Sequence, residues 1–373
     1  MRSVPRILMV TPTLTNPAIQ GNSARILAFG RELKRRGFDV EVLYYTLDAW
    51  TPEIEAQMRR EWSRLHVLEG RAHREQAYAA HWGLDDWCPA ELVSQVRRLC
   101  AETPYQAVVV NYVWLSACLE MVNGPLRILD THDIFGDRAR LAMEAGLEPS
   151  WYFTSPAEEA RGFDRADIVL AIQDEERQAI APRTKAPVLT VGHPVHARFL
   201  LDEFRSPSVA QFGYFASKNP WNIASIRALD DALAETHTSP DWLLAGSICR
   251  EPLLLRSNPR ILGLVDDPGD FYDLVDCVLN PMAAGTGLKI KTVEALAYGR
   301  PVLGTTEAYR GLEIFHPSQA VPTIADLAQL IFDYTDSPRL RHDIGAASMR
   351  TYVSYMQATQ QAYDDLAQII RQT

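Results

Sequence analysis

Short runs of apolar residues alternate along this chain with longer amphipathic segments. Residues 6–10 form a continuous apolar run that Pro12 ends, and Ile26, Leu27 and Leu33 then recur at helical spacing before Gly37. A short continuous run is typical of a strand buried on both faces, whereas three-to-four spacing is typical of an amphipathic helix. With a second strand predicted at residues 39–44, the opening is predicted to be a strand, a helix capped by Asn22 or Ser23, and a strand.

The same alternation continues to about residue 200. Ser155, Pro156 and Glu158 form a capping-box pattern that predicts a helix beginning at Pro156. Residues 52–103 are interpreted as a helical and irregular insertion, and residues 196–207 as a linker. Further strands are predicted at residues 107–110, 128–130, 167–172 and 188–191.

The pattern then restarts. Strands are predicted at residues 209–213, 242–246, 260–264 and 276–280 and through Leu303, and helices at 220–235, at 289–298 and from about Pro338 onward. Two series of alternating strands and helices indicate two parallel sheets with helices on both faces. We therefore expect an α/β protein with domains at residues 1–200 and 205–349, and a last helix, about 350–373, that packs back on the first domain.

Composition narrows the function classes. The 373 residues suit two domains, and the formal net charge of −10 disfavours nucleic acid as a partner. The chain has no long apolar run and no secretory-type start, so a cytoplasmic location is predicted. The five cysteines are scattered without a Cys-x-x-Cys pair, so we predict reduced thiols and no metal site.

Residues 280–302 carry the most specific chemical signal. Gly285 and Gly287 precede a predicted helix whose start holds Lys289 and Lys291, and Glu294 follows on an apolar face. Glycines let backbone N–H groups approach an anion, and the positive end of the helix dipole favours negative charge there. A carboxylate about two turns into the helix can accept hydrogen bonds from the vicinal hydroxyls of a ribose. The segment therefore predicts a site for a nucleotide phosphate.

The same segment resembles the nucleotide-sugar signature of GT-B glycosyltransferases, family 4 in particular, of the bacterial polysaccharide-cluster type. That signature is a glycine-rich loop followed by Glu-Ala-(Leu/Met)-Ala-x-Gly-x-Pro-Val, which matches the sequence from Glu294 to Val302. The resemblance also covers the opening strand, residues 130–133 and residues 218–222. It implies two Rossmann-like domains facing a central cleft, with the donor in the second domain and the acceptor in the first. It further implies retaining transfer without metal or other cofactor.

The resemblance assigns donor contacts position by position. Glu294 matches the ribose-binding glutamate, and Gly287, Leu288 and Lys289 match the loop whose amides meet the diphosphate and the sugar. Gly21 matches a glycine that contacts the donor from the other domain. The remaining matches are Gly263 to Val265 against the base, Lys291 on the phosphates and His132 facing the sugar.

Two positions depart from the family pattern. Thr286 stands where many members have a glutamate that contacts the donor sugar, and Tyr214 follows Gly213 where an arginine is usual. Lys218 is the candidate replacement for that arginine, so His132, Lys291 and Lys218 form the predicted catalytic set. Thr286 is counted among the donor contacts, and the identity of the sugar stays open.

The acceptor is expected to be a glycan or a lipid-linked molecule. Asn111 and Tyr112, which follow one predicted strand, and Asp133, which follows another, are the predicted acceptor contacts, because ligands of α/β folds gather at the carboxyl ends of strands. Basic clusters at residues 31–36 and 59–74 are either solvated helical faces or a docking surface for anionic lipid.

Two other functions fit the same donor site. A nucleotide-sugar epimerase would use the donor without an acceptor, and a non-catalytic scaffold would bind the donor without turnover. A nicotinamide dehydrogenase is disfavoured because the loop after the first strand lacks Gly-x-Gly-x-x-Gly.

Overall fold

The computed structural model describes residues 4–18, 20–70, 74–199, 210–235, 240–285 and 287–373. The chain divides into two compact units. The first unit comprises Met1–Pro194 together with Ala358–Thr373, and the second comprises Val195–Gln357.

The first unit is built on a parallel sheet in the order β3-β2-β1-β4-β5-β6-β7. From β3 to β6 this is the strand order of a Rossmann-type dinucleotide fold. Its strands are β1 (Arg6–Thr11), β2 (Asp39–Thr46), β3 (Arg64–Glu69), β4 (Ala107–Asn111), β5 (Leu126–Asp130), β6 (Ile168–Ala171) and β7 (Val188–Thr190). Its helices are α1 (Gly21–Arg35), α2 (Pro52–Glu61), α3 (Ala90–Glu102), α4 (Ala117–Glu120), α5 (Arg138–Glu144), α6 (Pro156–Phe163) and α7 (Asp174–Ile180).

The second unit repeats the plan on a parallel sheet in the order β10-β9-β8-β11-β12-β13. Its strands are β8 (Ala210–Phe215), β9 (Trp242–Ala245), β10 (Arg260–Gly263), β11 (Val275–Asn280), β12 (Val302–Thr305) and β13 (Ala320–Val321). Its helices are α8 (Pro220–Glu235), α9 (Pro268–Asp273), α10 (Ile290–Ala297) and α11 (Ile324–Asp336), followed by α12 (Pro338–Gln372). The predicted α/β class with two parallel sheets is confirmed.

Both faces of the second sheet are covered by apolar cores. Alternate residues of one strand point to opposite faces, so Trp242 and Leu244 enter one cluster while Leu243 and Ala245 enter the other. Strands buried on both faces need continuous apolar sequence, which is why these strands were visible as uninterrupted runs.

Helix α12 begins in the second unit and ends in the first. Tyr363, Leu366 and Ile370, near its carboxyl end, belong to the core of the first unit. Among the described residues, no helix combines the length and the apolar character that crossing a bilayer requires.

Two local predictions were wrong. The segment 52–103 contains β3, which pairs in parallel with β2 at the edge of the sheet. Helix α1 begins at Gly21, with Gln20 as its N-cap and no side-chain cap, so neither Asn22 nor Ser23 caps it. By contrast, Ser155 does cap α6 by accepting a hydrogen bond from Glu158 N at 3.2 Å.

A buried ion pair lies at the carboxyl edge of the first sheet. Arg25 on α1 donates to both carboxylate oxygens of Asp130 at the end of β5, at 2.8 and 3.1 Å. Arg25 also donates to the carbonyl oxygen of Val191 at 3.0 Å. The side chains are 1% and 0% exposed. Buried charges are tolerated when paired and hydrogen-bonded, so this contact fixes α1 against two strand ends.

We expect Arg25→Met to lower the free energy of unfolding by about 3–5 kcal/mol, because it leaves the Asp130 carboxylate buried without its partner. Urea denaturation followed by circular dichroism measures the loss. Arg31→Met on the same helix is the matched control, since Arg31 is 51% exposed in its pair with Glu61 and should lose less than about 1 kcal/mol. Equal losses in the two variants would contradict the role given to the Arg25–Asp130 pair.

Candidate functional site

The glycine loop of the second unit turns directly into α10. Gly285 and Gly287 have φ values of +136° and +71°, which glycine adopts readily. The helix begins at Ile290, so Lys289 is its N-cap and Lys291 lies in its first turn. Thr286, a predicted donor contact, lies outside the described residues. Two glycines with positive φ thus precede the start of α10. Backbone N–H groups at a helix start can bind an anion.

Lys289 is held inside this loop. Its side chain is 7% exposed and forms an ion pair with Glu307 at 2.8 Å. Its Nζ also donates to the carbonyl oxygen of Gly287 at 2.9 Å. Together with the buried Leu288, Lys289 therefore shapes the loop, and its charge is balanced by Glu307.

Lys291 is surrounded by neutral groups. Its Nζ donates to Asn222 Oδ1 at 2.6 Å and to the hydroxyl of Tyr214 at 3.3 Å, and it lies 4.9 Å from the centre of the Tyr214 ring. Burial, aided by the positive charge of Lys289, lowers the pKa of Lys291 to about 7. Among the described residues, this partly desolvated ammonium group contacts neutral side chains, and an anion at the loop would stabilise its charged form.

Glu294 lies one turn further along α10. The hydroxyl of Tyr272 donates to Glu294 Oε2 at 3.0 Å, and Tyr272 stacks on Tyr298 with ring centres 4.5 Å apart. Burial raises the pKa of the Glu294 carboxyl, against the lowering effect of the Tyr272 hydrogen bond. A half-buried carboxylate with a single donor has acceptor capacity left for hydroxyl groups of a ligand.

The other predicted residues of the second unit lie on neighbouring elements. Gly263 ends β10 with φ +85°, and its carbonyl oxygen accepts from Gly246 N at 2.7 Å. Val265 is half-buried against the core. Lys218 is 49% exposed and its Nζ lies 2.7 Å from Glu251. The ammonium of Lys218 is therefore paired with a carboxylate, whereas that of Lys291 contacts neutral groups.

In the first unit, His132 sits two residues beyond the end of β5. It has φ +63°, its Nε2 lies 2.9 Å from Asn111 Oδ1, and its ring stacks on Tyr112 with centres 4.3 Å apart. Burial lowers the pKa of His132 to about 4; the Asp130 carboxylate raises it and Arg25 lowers it further. The imidazole is therefore neutral at neutral pH.

The predicted acceptor residues lie in different environments. Asn111 and Tyr112 are 0% and 1% exposed, and the Asn111 amide donates to the carbonyl oxygen of Val10 at 2.8 Å. Asp133 accepts from Arg138 at 2.7 Å. Gly21 is exposed at the start of α1. Asn111 and Tyr112 thus hold the His132 ring through a hydrogen bond and a stacking contact. Their contact with an acceptor stays a prediction.

The second basic cluster, residues 59–74, does not form one helical face. Arg59 belongs to α2 whereas Leu65 belongs to β3, and Arg74 packs over the Trp87 ring at 4.2 Å. Arg71 lies outside the described residues. Arg31 and Arg36 pair with carboxylates within the first unit. The prediction of one basic helical face is therefore wrong for residues 59–74, whereas Arg31, Lys34 and Arg35 do lie together on α1.

Sequence reasoning missed the partners of the key side chains. Tyr272, Glu307 and Arg25 were not singled out, because each meets its partner from a distant element. Asn222 lies within residues 218–222, a segment that the family resemblance covers, but the resemblance assigns Asn222 no role. In the described ranges, no group of three or more His, Cys, Asp or Glu side chains could hold a metal ion.

We expect the affinity for a nucleoside diphosphate to increase as the pH falls from 8.5 to 6.5, because protonation of Lys291 near pH 7 supplies a positive charge to the diphosphate. Uptake of one proton changes the affinity by at most about tenfold per pH unit above the pKa, so a gain of about tenfold is anticipated. Isothermal titration calorimetry at several pH values measures it. Lys291→Met should abolish the pH dependence, whereas Lys218→Met should retain it; an unchanged slope in Lys291→Met would refute the assignment.

A family model matches part of this chain, and solved structures resemble its fold. Residues 212–331 match the family model described as Glycosyl transferases group 1. These residues include the glycine loop, Lys291 and Glu294. A search of curated protein sequences returned no match.

Solved structures are similar over nearly the whole chain. Sucrose-phosphate synthase from Thermosynechococcus elongatus is 14% identical with a TM-score of 0.71, covering 99% of this chain and 98% of its own. HepE from Anabaena, solved in complex with UDP and glucose, is 16% identical with a TM-score of 0.68, covering 98% and 100%. A variant of S. aureus TarM, solved with fondaparinux, α-GlcNAc-glycerol and UDP, is 9% identical with a TM-score of 0.71, covering 97% and 99%. The chain has the GT-B fold of glycosyltransferases, and its second unit carries the sequence match to glycosyl transferases group 1.

Proposed function

We propose that this protein is a glycosyltransferase that moves a hexose-type sugar from a nucleotide diphosphate sugar, UDP- or GDP-linked, to a glycan or lipid-linked acceptor. We further propose that the transfer is retaining and metal-independent. The protein would act in the cytoplasm in polysaccharide or glycolipid biosynthesis, with peripheral contact to the membrane where the acceptor is lipid-linked.

One observation carries the proposal: the glycine loop leads directly into α10, which carries Lys291 and Glu294. Gly285 and Gly287 have positive φ before the helix start, Lys291 is a partly desolvated cation among neutral groups, and Glu294 has spare acceptor capacity one turn after Lys291. In a nucleotide diphosphate the phosphates adjoin the ribose, so the phosphates would meet the loop and Lys291 while the ribose would meet Glu294. The sequence match over residues 212–331 supports the same assignment.

Departure of the nucleotide is the step that the second unit would assist. Negative charge grows on the leaving diphosphate in the transition state, and fixed amides, the α10 dipole and Lys291 would stabilise that charge without reorganisation. The charge balance of Lys289 by Glu307 leaves Lys291 as the cation that responds to the ligand. Glu294 would hold the ribose and thereby position the diphosphate.

His132 would orient the sugar. Its low pKa makes it a weak base, and its Nε2 is engaged with Asn111. Both features support a role in hydrogen bonding rather than in removing a proton from the acceptor. In a retaining transfer the acceptor attacks from the face that the nucleotide leaves, and a phosphate oxygen takes the acceptor proton.

We expect one nucleotide class to stabilise the protein in a thermal-shift panel of UDP-, GDP-, ADP- and dTDP-sugars. A ligand at about one hundred times its Kd adds about 2.7 kcal/mol. Glu294→Gln should lose most of this stabilisation, because the amide replaces one acceptor oxygen with a donor. Glu235→Gln, at the exposed end of α8, is the control and should respond like the native chain.

No stabilisation by any of the four classes would remove the main support for the donor site. Stabilisation without consumption of the nucleotide sugar, with every acceptor tested, would favour a scaffold. Consumption of the donor with formation of an isomeric nucleotide sugar would favour an epimerase.

The anomer of the product tests the stereochemical proposal. We expect the anomeric configuration of the donor to be retained, as read from the one-bond and vicinal couplings of the transferred sugar by NMR. His132→Gln should reduce turnover without changing the anomer, since the proposed role of His132 is orientation. An inverted product would require a general base and would overturn the retaining assignment.

A further inference from the structure

A pocket lies wholly within the first unit, at the carboxyl end of β1. It has a volume of about 200 Å³ and is bounded by the β1 loop, the start of α1 and the loop after β2. Two indole rings, those of Trp114 and Trp151, complete its wall, and Gln20, Asn22 and Asp48 supply polar groups. None of these residues belongs to the predicted donor or acceptor sets.

The wall of this pocket is a packed aromatic assembly. The ring of Trp114 stacks on Tyr112 with centres 5.1 Å apart, and Tyr112 stacks in turn on His132. Trp151 meets Tyr112 and Trp114 edge-on, at 5.7 and 6.3 Å. Trp114 is fully buried, whereas Trp151 is 42% exposed. Half-exposure of so large a ring beside a pocket leaves an aromatic surface for a ligand.

Buried polar atoms point to an occupant. Ser23 is 1% and Trp114 0% exposed, and both line the pocket. Within the described part of the chain, neither Ser23 Oγ nor Trp114 Nε1 has a hydrogen-bond partner. An unsatisfied buried polar group is costly, so such groups at a pocket wall are typical of a ligand site.

Backbone strain is concentrated in the same place. Four non-glycine residues among those described have positive φ, and three of them, Tyr112, His132 and Trp151, belong to this aromatic assembly. Left-handed backbone at bulky residues is unfavourable and persists where surrounding packing enforces it, most often at functional sites.

We propose that this pocket binds one sugar ring of a glycan acceptor, an assignment that rests on the proposed glycosyl transfer. A pyranose has an apolar face of C–H groups and a rim of hydroxyls. Trp151 would cover the apolar face, while Ser23, Asn22 and Asp48 would bind the hydroxyls. Sites for drug-sized ligands span about 300–1,000 Å³, so a volume of about 200 Å³ fits a single ring better than a lipid chain.

The test uses a panel of methyl glycosides (gluco, galacto, manno and N-acetylglucosamine) titrated into the full-length protein without nucleotide. Saturation-transfer difference NMR and tryptophan fluorescence should show saturable binding of at least one glycoside. Trp151→Ala should weaken that binding at least about tenfold. Tyr78→Ala, which removes a 46% exposed ring elsewhere in the first unit, should leave it unchanged.

Ser23→Ala provides a second variant that does not depend on the stability of Trp151→Ala. Because Ser23 Oγ has no partner among the described residues, its removal should leave the Tm unchanged or higher, yet weaken glycoside binding about fivefold. Binding that is absent across the panel, or equal in the native chain, Trp151→Ala and Ser23→Ala, would overturn the proposal.

Competition separates the two possible sources of the sugar. UDP alone should leave glycoside binding intact if the pocket holds the acceptor. Displacement of the glycoside by an intact nucleotide sugar, but not by UDP, would assign the pocket to the donor sugar and overturn the acceptor assignment. Glu294→Gln separates this proposal from the proposed function, because glycosides should still bind to that variant. If the native protein binds glycosides but no nucleotide, the pocket assignment stands while the transfer proposal fails.

Discussion

The carboxyl edge of the first sheet depends on one buried charge pair. Arg25 and Asp130 are almost fully excluded from solvent, and neither charge is tolerable there without the other. The pair joins the first helix to the ends of β5 and, through Val191, to the chain just after β7. His132 follows Asp130 by two residues, and Ser23 precedes Arg25 by two, so the ion pair lies close in the chain to both the histidine and the pocket wall.

The sequence predicted most of the architecture because parallel strands covered on both faces must be continuously apolar. β1, β4, β8 and β11 were all visible for this reason. β3 was not visible, because it is an edge strand in which only Leu65 is buried, and polar and apolar residues alternate from Arg64 to Val67. Residue pattern alone did not separate that alternation from a basic amphipathic helix.

The donor-site residues could be predicted by type and order but not by environment. Glycine, lysine and glutamate in the loop and helix indicated phosphate and ribose chemistry. The contacts that tune Lys291 come from Asn222 and Tyr214, which are 69 and 77 residues away along the chain. Contacts of that range follow from how β8, α8 and α10 pack, and no local pattern encodes them. Likewise, the position of Asn111 after a strand indicated the correct edge of the sheet but not its complete burial.

The left-handed residues of the aromatic wall have a consequence for protein engineering. Glycine is free of the steric conflict that a larger residue meets at positive φ, so replacement of Trp151 by glycine would relieve the backbone. The same replacement would remove the edge-on ring contacts of Trp151 with Tyr112 and Trp114 and the buried part of a side chain that is 42% exposed. These two effects on stability oppose each other, so selection for heat resistance alone would constrain this position weakly, and a library meant to preserve recognition would need a separate screen for selectivity.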